Sequence, residues 1–469
     1  MATLDVKSTR AKIERAVSVG PTISLDDPFA AARKIVATEY QLGIDRTIVF
    51  WQGEFHVWTG SHYRLTPTPD VREMLYLTAA ETADKAPKKR NIDELVDALK
   101  AAANLSDLTR PPAWLRDQAS DRDPRSFIPM ANGVLIPETD QLLPATPRLF
   151  ATYALPFNYD NDAPLPTAWF RFLQDLWGND AESISLLQEW MGYLLTQRTE
   201  QQKALLLIGP KRAGKGTIAR VIGELLGGAN FCSPTLASLA THFGLQSLIG
   251  KLLAVVSDAR LGGHADICQI AENLLRITGE DAISIPRKFL SDFTARLPTR
   301  IMILTNELPR FSDGSGALPS RFLILRLTRT FFDNEDHGLE ARLFAELPAI
   351  LNWALVGLDR LNNRGRFKQP AAGHELIEEI EILASPIRAF VADECVIEPG
   401  ASESASRLFE SFRDWCRQNG RDHTGTLQTF GRDMRAVLPN MSVFRPRQSE
   451  GPRDRYYAGI RLRRVTDGA

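Results

Sequence analysis

A short apolar run that leads into a glycine-rich loop constrains the fold of this chain more than any other feature. Residues 205–208 read Leu-Leu-Leu-Ile, and Gly-Pro-Lys-Arg-Ala-Gly-Lys-Gly-Thr follows at 209–217. The next segment has helical spacing, with apolar side chains at Ile218, Val221, Ile222 and Leu225. A strand, a glycine loop and a helix in this order direct backbone N–H groups at a phosphate, and the helix dipole adds favourable charge. The loop is therefore predicted to bind phosphate, with a chance glycine turn as the alternative.

The predicted ligands of this loop are ATP and Mg²⁺. Lys215 is expected to reach the β- and γ-phosphates. The strict form of the motif places Ser or Thr directly after the lysine as a magnesium ligand, but Gly216 stands there and Thr217 follows. Thr217 is therefore the candidate ligand. The predicted ATP-binding residues are Gly209, Pro210, Lys211, Arg212, Ala213, Gly214, Lys215, Gly216 and Thr217.

A carboxylate beside magnesium is the second requirement of such a site, and a neighbouring strand is expected to supply it. Residues 252–257 read Leu-Leu-Ala-Val-Val-Ser and end at Asp258. Asp258 is the predicted acid that holds magnesium and polarises the attacking water. The alternative is a surface aspartate that caps a helix.

Two further polar residues lie next to predicted strands, Asn306 after one strand and Arg321 before another. The apolar run at 301–304 leads to Asn306, which is predicted to sense the γ-phosphate, unless it only forms a turn. Arg321 precedes another apolar run and is the predicted arginine that enters the ATP site of an adjacent subunit. Arg326 and Arg329 compete for this role.

The length of the chain indicates several domains, and its composition is that of an ordinary globular protein. The chain has 469 residues, 44% apolar and 24% charged, with a net charge of −1. A metal site of cysteines is not expected, because the four cysteines lack Cys-x-x-Cys spacing. We find no apolar signal segment at the amino terminus and no membrane-length apolar run, so a cytoplasmic location is expected.

The predicted fold is α/β, with a parallel sheet in an AAA+-like P-loop ATPase core. The predicted limits are a flexible terminus at 1–26, an α+β domain at 27–195, the ATPase at 196–370 and a winged-helix-like domain at 371–469. Apolar and polar residues alternate at 47–65, which predicts a small meander with Trp51 and Trp58 inside. A linker is expected at 370–373 and a further boundary at 398–404.

The four elements resemble, in order and local sequence, superfamily 3 helicases of the P4-like primase and poxvirus D5-like type. Residues 127–193 resemble the D5-type amino-terminal domain, and residues 349–361 resemble the helix that closes the ATPase domain. The resemblance implies a ring, most simply a hexamer, that translocates on single-stranded DNA in the replication of a phage, prophage or plasmid. It also implies a separate primase or polymerase as a partner.

The same resemblance places a pore hairpin at residues 278–289. Arg287 and Lys288 are then candidate contacts to DNA phosphates, with Phe289 beside them, and a solvated charge pair is the alternative. The segment after residue 400 holds thirteen arginines, eight acidic residues and no lysine. This composition fits a DNA-touching wing or a solvated face, and the arginines singled out are Arg445, Arg447, Arg453, Arg455 and Arg461.

The function expected from these features is ATP-dependent unwinding of DNA, with single-stranded and forked DNA as partners. One alternative is an initiator or loader that uses ATP only to assemble at an origin. Another is a P-loop kinase of small molecules, which would need no DNA. A decayed, inactive copy is a third.

Overall fold

The structure is a computed structural model that describes residues 22–116, 122–257, 266–288, 290–309, 317–419, 425–445 and 454–464. Most of the predicted flexible terminus, 1–26, lies outside these ranges. Its last residues are structured, however, because Ile23 and Leu25 are buried and the Ile23 N–H donates to Thr82 O at 2.8 Å. The ordered fold therefore starts earlier than predicted.

The amino-terminal region combines helices with small antiparallel sheets. Its elements are α1 (Pro28–Glu39), β1 (Gln41–Leu42), β2 (Asp45–Arg46), β3 (Ile48–Trp51), β4 (Glu54–Trp58), β5 (Tyr63–Thr66), α2 (Thr68–Thr82), α3 (Lys89–Ala102), β6 (Ala113–Trp114), β7 (Ile128–Met130), β8 (Gly133–Ile136), β9 (Gln141–Leu143) and β10 (Leu149–Phe150). The strands β3, β4 and β5 form the predicted meander. Trp51 is buried and Trp58 is half-buried, which confirms the inner face.

Two helices then lead into a central region of alternating strands and helices. The elements are α4 (Thr167–Trp177), α5 (Ala181–Leu194), β11 (Ala204–Ile208), α6 (Lys215–Leu226), β12 (Phe231–Cys232), β13 (Leu253–Val256), α7 (Ile267–Thr278), β14 (Ile283–Arg287), β15 (Leu290–Ala295), β16 (Arg300–Thr305) and β17 (Phe322–Arg326). Five of these strands form one parallel sheet, in the order β12-β13-β16-β11-β17. The predicted parallel sheet is therefore confirmed.

The order of the strands corrects one expectation. We expected the strand that precedes Asp258 to be a neighbour of the strand before the glycine loop. Instead β16 lies between β13 and β11, since β16 pairs with both of them. The two strands are thus about 10 Å apart, at about 4.8 Å for each step across a sheet.

The sheet is buried on both faces, which explains its nearly continuous apolar strands. Along β11, Leu205 and Leu207 contribute to one hydrophobic cluster, and Leu206 and Ile208 contribute to the other. The first cluster also contains residues of α4 and α5, so the core continues across the predicted domain limit at 195. The second also contains Trp51 of the meander. The predicted domain limits stay predictions, but a shared core connects these parts.

The segment after the sheet contains α8 (Leu339–Ala345), α9 (Leu347–Arg364) and α10 (Ala371–Ala384). The predicted closing helix is confirmed as α9, which ends before Gly365. The predicted linker at 370–373 is wrong, because α10 begins there and packs its Leu376 and Ile380 into the second cluster. The amide of Gln369 bonds to the backbone of Ile324, at 3.1 Å from N and 2.8 Å from O, and so pairs with the free edge of β17.

The carboxyl-terminal region contains α11 (Pro386–Glu394), β18 (Cys395–Ser404), α12 (Ala405–Gln418), α13 (Leu427–Val437), β19 (Ser442–Phe444) and β20 (Tyr456–Leu462). Its strands form an antiparallel sheet in the order β18-β20-β19. The boundary predicted at 398–404 is wrong, since these residues belong to β18. An edge strand tolerates Pro399, and the pairing shifts between Ile397 and Ser402 around Gly400.

Across the described ranges, no single helix has the length and apolar character needed to cross a bilayer. The consecutive helices α8 and α9 meet these criteria only as a pair that is bent by 70°.

Close packing joins α5, which precedes the central sheet in the chain, to α9, which follows it. A side-chain carbon at Gly357 would lie 2.4 Å from Gln188 O, so the helices touch through their backbones. Nearby, the buried carboxylate of Glu189 accepts hydrogen bonds from Arg360, at 2.7 Å, and from Arg364. The contact therefore depends on a small residue at position 357.

We expect Gly357→Ala to lower the free energy of unfolding by about 1–3 kcal/mol, because the added methyl group forces the helices apart. Helix propensity alone would give the opposite sign, a gain of about 1 kcal/mol. Urea unfolding measures the change. Val356→Ala, at a neighbouring position that is 60% exposed, is the control and should change stability by less than about 0.5 kcal/mol. A stabilised Gly357→Ala protein would contradict the close packing.

Candidate functional site

The glycine-rich loop connects the carboxyl end of β11 to the amino end of α6. Gly214 caps the helix in the left-handed conformation, with φ 88°, and Arg212 also has a positive φ of 59°. A side-chain carbon at Gly214 would lie 2.8 Å from Leu176 Cδ2. Both the backbone angle and the contact with α4 therefore require glycine here. Turns of this kind direct successive N–H groups toward one point and bind anions.

Lys215 is the first residue of α6, and its ammonium group folds back over the loop. Nζ donates hydrogen bonds to Gly209 O at 2.6 Å, to Pro210 O at 2.8 Å and to Asn306 Oδ1 at 3.0 Å. Asn306 follows β16, the strand beside β11, so the parallel pairing brings these two predicted residues together. Since an ammonium group only donates, the oxygen of Asn306 faces Lys215 and its NH₂ group is left to bind an acceptor.

The charge around Lys215 favours an anion. Partial burial lowers the pKa of Lys215, and the three hydrogen-bond partners given above are neutral oxygen atoms. The amino end of α6 adds positive potential at the same place. An anion at this point would compensate the cost of desolvation, which is the property of a phosphate site.

The loop opens into a cavity of about 860 Å³, a size typical of small-molecule sites. The loop residues 211–217 line one side, and Asn306 lies beside them. Arg171 and Asp175 of α4 line a second side, and the segment at 331–342 lines a third. The loop, Lys215 and Asn306 therefore face a space that is large enough for a nucleotide.

The predicted magnesium ligands are placed only in part. The Thr217 hydroxyl lies in the cavity and accepts a hydrogen bond from Arg220 Nη2 at 3.4 Å. Asp258 lies outside the described residues, beyond the end of β13. Among the described residues, no group of three or more His, Cys, Asp or Glu side chains could hold a metal ion. Thr217 thus fits magnesium as one oxygen ligand, next to the place where phosphate oxygens would bind.

Arg321 lies at the amino-terminal end of the parallel strands, whereas the loop lies at their carboxyl-terminal end. It precedes β17, whose register pairs Phe322 with Ala204 and Arg326 with Ile208. Arg321 is therefore about 16 Å from the carboxyl end of β11, at about 3.3 Å per residue. Its guanidinium donates to Gln202 Oε1. Burial, and then the charge of Arg321, lower the pKa of Lys203 nearby, so this edge is also electropositive.

The two competing arginines occupy other positions. Arg326 ends β17 next to the loop and is exposed. Arg329 Nη1 donates to Asp175 O at 2.7 Å, and its guanidinium lies over the ring of Phe331, 5.7 Å from the ring centroid. Both residues therefore lie on the same side of the sheet as the loop.

The hairpin of β14 and β15 corrects the role predicted for Arg287. Its side chain is 6% exposed and donates to Ser291 O at 2.9 Å and to Gln52 O at 3.0 Å. It also lies over the ring of Phe293, at 5.6 Å. Arg287 thus anchors the hairpin to the meander, and it is not available to phosphates in this conformation. Lys288 is exposed at the turn, and Phe289 lies outside the described residues.

The five carboxyl-terminal arginines that were singled out also differ in their availability to DNA. Arg461 forms an ion pair with Glu398, with 2.8 Å between Nε and Oε2. Arg445 and Arg455 lie at exposed positions, whereas Arg447 and Arg453 lie outside the described residues. Only part of this predicted surface can thus meet DNA without breaking an ion pair.

The sequence interpretation did not identify Arg220, Glu335 and Glu340, which line the cavity. Arg220 forms an ion pair with Glu340, and Arg212 forms one with Glu335, with 3.6 Å between Nε and Oε1. Arg220 could have been noticed, because a long side chain in a helix reaches back over the preceding turn. Glu335 and Glu340 gave no signal, since the path of their segment is set by tertiary contacts.

Comparisons with known proteins match two parts of the chain to family models. Residues 39–178 match the model described as D5 N terminal like. Residues 207–321, which include the loop, Asn306 and Arg321, match a family of unknown function.

Similar folds occur in solved structures of the NrS-1 C-terminal region. The A form apo structure of residues 305–718 has a TM-score of 0.51 and 12% identity, with 92% of this chain and 100% of that chain covered. A second A form apo structure has a TM-score of 0.53, 12% identity and coverage of 92% and 99%. A further apo structure, of residues 305–718, has a TM-score of 0.52, 12% identity and the same coverage. At this identity, the likeness concerns the fold.

We expect Arg287→Ala to lower the free energy of unfolding by about 1–3 kcal/mol, because the buried side chain of Arg287 and its hydrogen bonds to the partly buried carbonyls of Gln52 and Ser291 are lost. Urea unfolding followed by tryptophan fluorescence measures it, since Trp51 packs on Phe293 with 6.3 Å between ring centroids. Lys288→Ala is the matched control and should have an effect below about 0.5 kcal/mol. Equal stability of the two variants would show that Arg287 does not anchor the hairpin.

Proposed function

We propose that this chain, whose residues 39–178 match the D5 N terminal like family model, is a member of the D5-like phage primase-helicase family and an ATP-driven DNA helicase that acts as a ring, most simply a hexamer. Residues 209–217 would form its P-loop and bind ATP with Mg²⁺. Single-stranded and forked DNA would be its partners, and a separate primase or polymerase would act with it. Phage, prophage or plasmid replication is the proposed setting.

The arrangement of Lys215 carries this proposal. Its ammonium group is held by two loop carbonyls and by Asn306, at the amino end of a helix and at the wall of a large cavity. A half-buried cation that is held by neutral oxygen atoms is ready to exchange those hydrogen bonds for phosphate oxygens, which bind ammonium groups more strongly. Nucleotide binding would thus relieve the cost of its desolvation.

The other residues divide the work of hydrolysis. The NH₂ group of Asn306 would orient the attacking water beside the γ-phosphate. Asp258 would polarise that water and, together with Thr217, hold magnesium. Magnesium, when bound, would neutralise charge on the β- and γ-phosphates. The proposed catalytic residues are therefore Lys215, Asp258, Asn306 and Arg321, and the proposed magnesium ligands are Thr217 and Asp258.

The position of Arg321 supports assembly into a ring. It lies about 16 Å from the loop of its own subunit, measured along the strands, so it can act only in a site of another subunit. At that place it would stabilise the charge that develops on the transferred phosphoryl group, an effect of about 10³–10⁵ in rate. Arg326 and Arg329 fit this role less well, because they lie beside their own loop.

The proposed DNA contacts are repeated around the ring. Lys288 lies exposed at the turn between β14 and β15, where it could neutralise backbone phosphates without reading bases. Arg287 would act indirectly, by holding the hairpin on the meander. The region after α10 combines helices with a three-stranded sheet, which supports a winged-helix-like domain with a DNA-binding role.

We expect Lys215→Ala to lower ATP hydrolysis about 10²–10³-fold and to abolish unwinding of a forked duplex, because the phosphates lose their cationic partner. Release of phosphate and strand displacement measure these effects. Lys89→Ala, at an exposed position of α3, is the control and should retain most activity. Hydrolysis that is unaffected by single-stranded DNA in a pure monomer would contradict the helicase and favour a small-molecule kinase. Nucleotide-dependent assembly on DNA without unwinding would favour an initiator or loader.

We expect Arg321→Ala to bind ATP like the wild type but to lose hydrolysis about 10³-fold or more. Mixing it with Lys215→Ala should restore part of the activity, because some interfaces would then contain one intact loop and one intact arginine. Hydrolysis by the single variants and by the mixture measures this. Arg321→Ala without any loss, or a mixture no more active than its components, would contradict a site shared between subunits.

A further inference from the structure

Arg220 lies over the position where the strict phosphate-loop motif would place a hydroxyl group. It belongs to the second turn of α6, and its side chain reaches back over the first turn. A side-chain carbon at Gly216 would lie only 3.1 Å from Arg220 Nη1. The other terminal nitrogen donates to Thr217 Oγ1 at 3.4 Å. The absence of a side chain at position 216 therefore gives the guanidinium room to approach the loop.

The charge of Arg220 is unfavourable at this place without an anion. The amino end of a helix is already positive, and Lys215 and Arg212 add two more cations on the same wall of the cavity. In this structure the negative charge comes from Glu340, which pairs with Arg220, and from Glu335, which pairs with Arg212. Two carboxylates of the cavity wall thus compensate cations that a triphosphate could also compensate.

The loop itself positions the segment that carries these carboxylates. Thr330 Oγ1 donates to Lys211 O at 3.0 Å, and the Phe331 N–H donates to Arg212 O, also at 3.0 Å. Glu335 lies four residues after Phe331, and Glu340 lies at the start of α8. Both side chains line the cavity. The acidic segment is therefore fixed to the same backbone that forms the phosphate loop.

The pair between Arg220 and Glu340 can exchange partners. Both side chains are substantially exposed, at 54% and 42%. Exposed ion pairs of this kind contribute little to stability, and salt screens them. A polyphosphate offers several charged oxygens to the planar donors of a guanidinium, which binds them more strongly than a single solvated carboxylate. Arg220 would then leave Glu340 without a large cost.

We propose that Arg220 is a phosphate-binding residue of the nucleotide site and that Glu340 holds it in the absence of nucleotide. The proposal rests on the proposed function, since it assumes that nucleoside triphosphate binds at Lys215. It adds a cation to the site in cis and explains why Gly216, and not Ser or Thr, follows Lys215. It also predicts that the two partners of one ion pair affect nucleotide binding in opposite directions.

We expect Arg220→Gln to weaken binding of ATP with magnesium about ten- to 100-fold, because a charge-assisted hydrogen bond to phosphate is lost. Glu340→Gln should strengthen it about two- to five-fold, because Arg220 no longer has to leave a carboxylate. In the double variant the gain from Glu340→Gln should disappear. Calorimetric titration of the full chain measures all three, and adenosine, which lacks phosphates, should bind each variant like the wild type.

The matched control is Arg90→Gln, which breaks a remote exposed ion pair with Glu94 and should leave ATP binding unchanged. Arg220→Lys should retain part of the affinity, since it keeps the charge. Wild-type binding that is lost in Lys215→Ala but fully retained in Arg220→Gln would overturn this inference and leave the proposed function intact. An equal effect of Arg220→Gln and Glu340→Gln would overturn it too, as a structural ion pair predicts that result. If the wild type bound no ATP, the proposed function would fail first.

Discussion

Parallel pairing of β11 with β16 on one side and β17 on the other determines where every candidate residue of the site can lie. The carboxyl ends of β11 and β16 meet at one edge of the sheet, which places Lys215 within hydrogen-bonding distance of Asn306. The amino end of β17 lies at the opposite edge and carries Arg321 away from the loop. The burial of the sheet on both faces makes this arrangement rigid, since each strand contributes alternate residues to two cores.

The positive charge at the carboxyl ends of these strands follows from the same strand pairing. A helix begins there, and the loop brings Arg212, Lys215 and Arg220 toward one cavity. Carboxylates of a single acidic segment compensate two of these charges, while the oxygen atoms that Lys215 contacts in the described ranges, those of Gly209, Pro210 and Asn306, are neutral. The site is thus partly neutralised by the protein itself, and the remaining positive charge is concentrated at the residue that the loop motif identifies.

Local patterns in the sequence were sufficient to predict the loop, the buried strands, the meander and the helix α9. These elements depend on short-range periodicity and on glycine positions, which a single sequence displays. The roles that were missed depend on tertiary contacts. Nothing near Arg287 in the sequence indicates that Gln52, more than 200 residues away, accepts its hydrogen bond. The position of β16 between β13 and β11 is likewise a matter of topology, which the apolar runs do not encode.

Segments that look like linkers misled the interpretation for a related reason. Pro, Gly and small polar residues at 370–373 and 398–404 suggest breaks, yet one segment begins α10 and the other forms an edge strand. At the first of these, the pairing of Gln369 with β17 has a consequence for solubility and assembly. The outer strand of a sheet can recruit a strand from another molecule, and an amide side chain here blocks that route, while β12 at the far edge spans only two residues. Pairing between copies along these edges of the central sheet is therefore disfavoured, and any contact between copies there would form through side chains and loops.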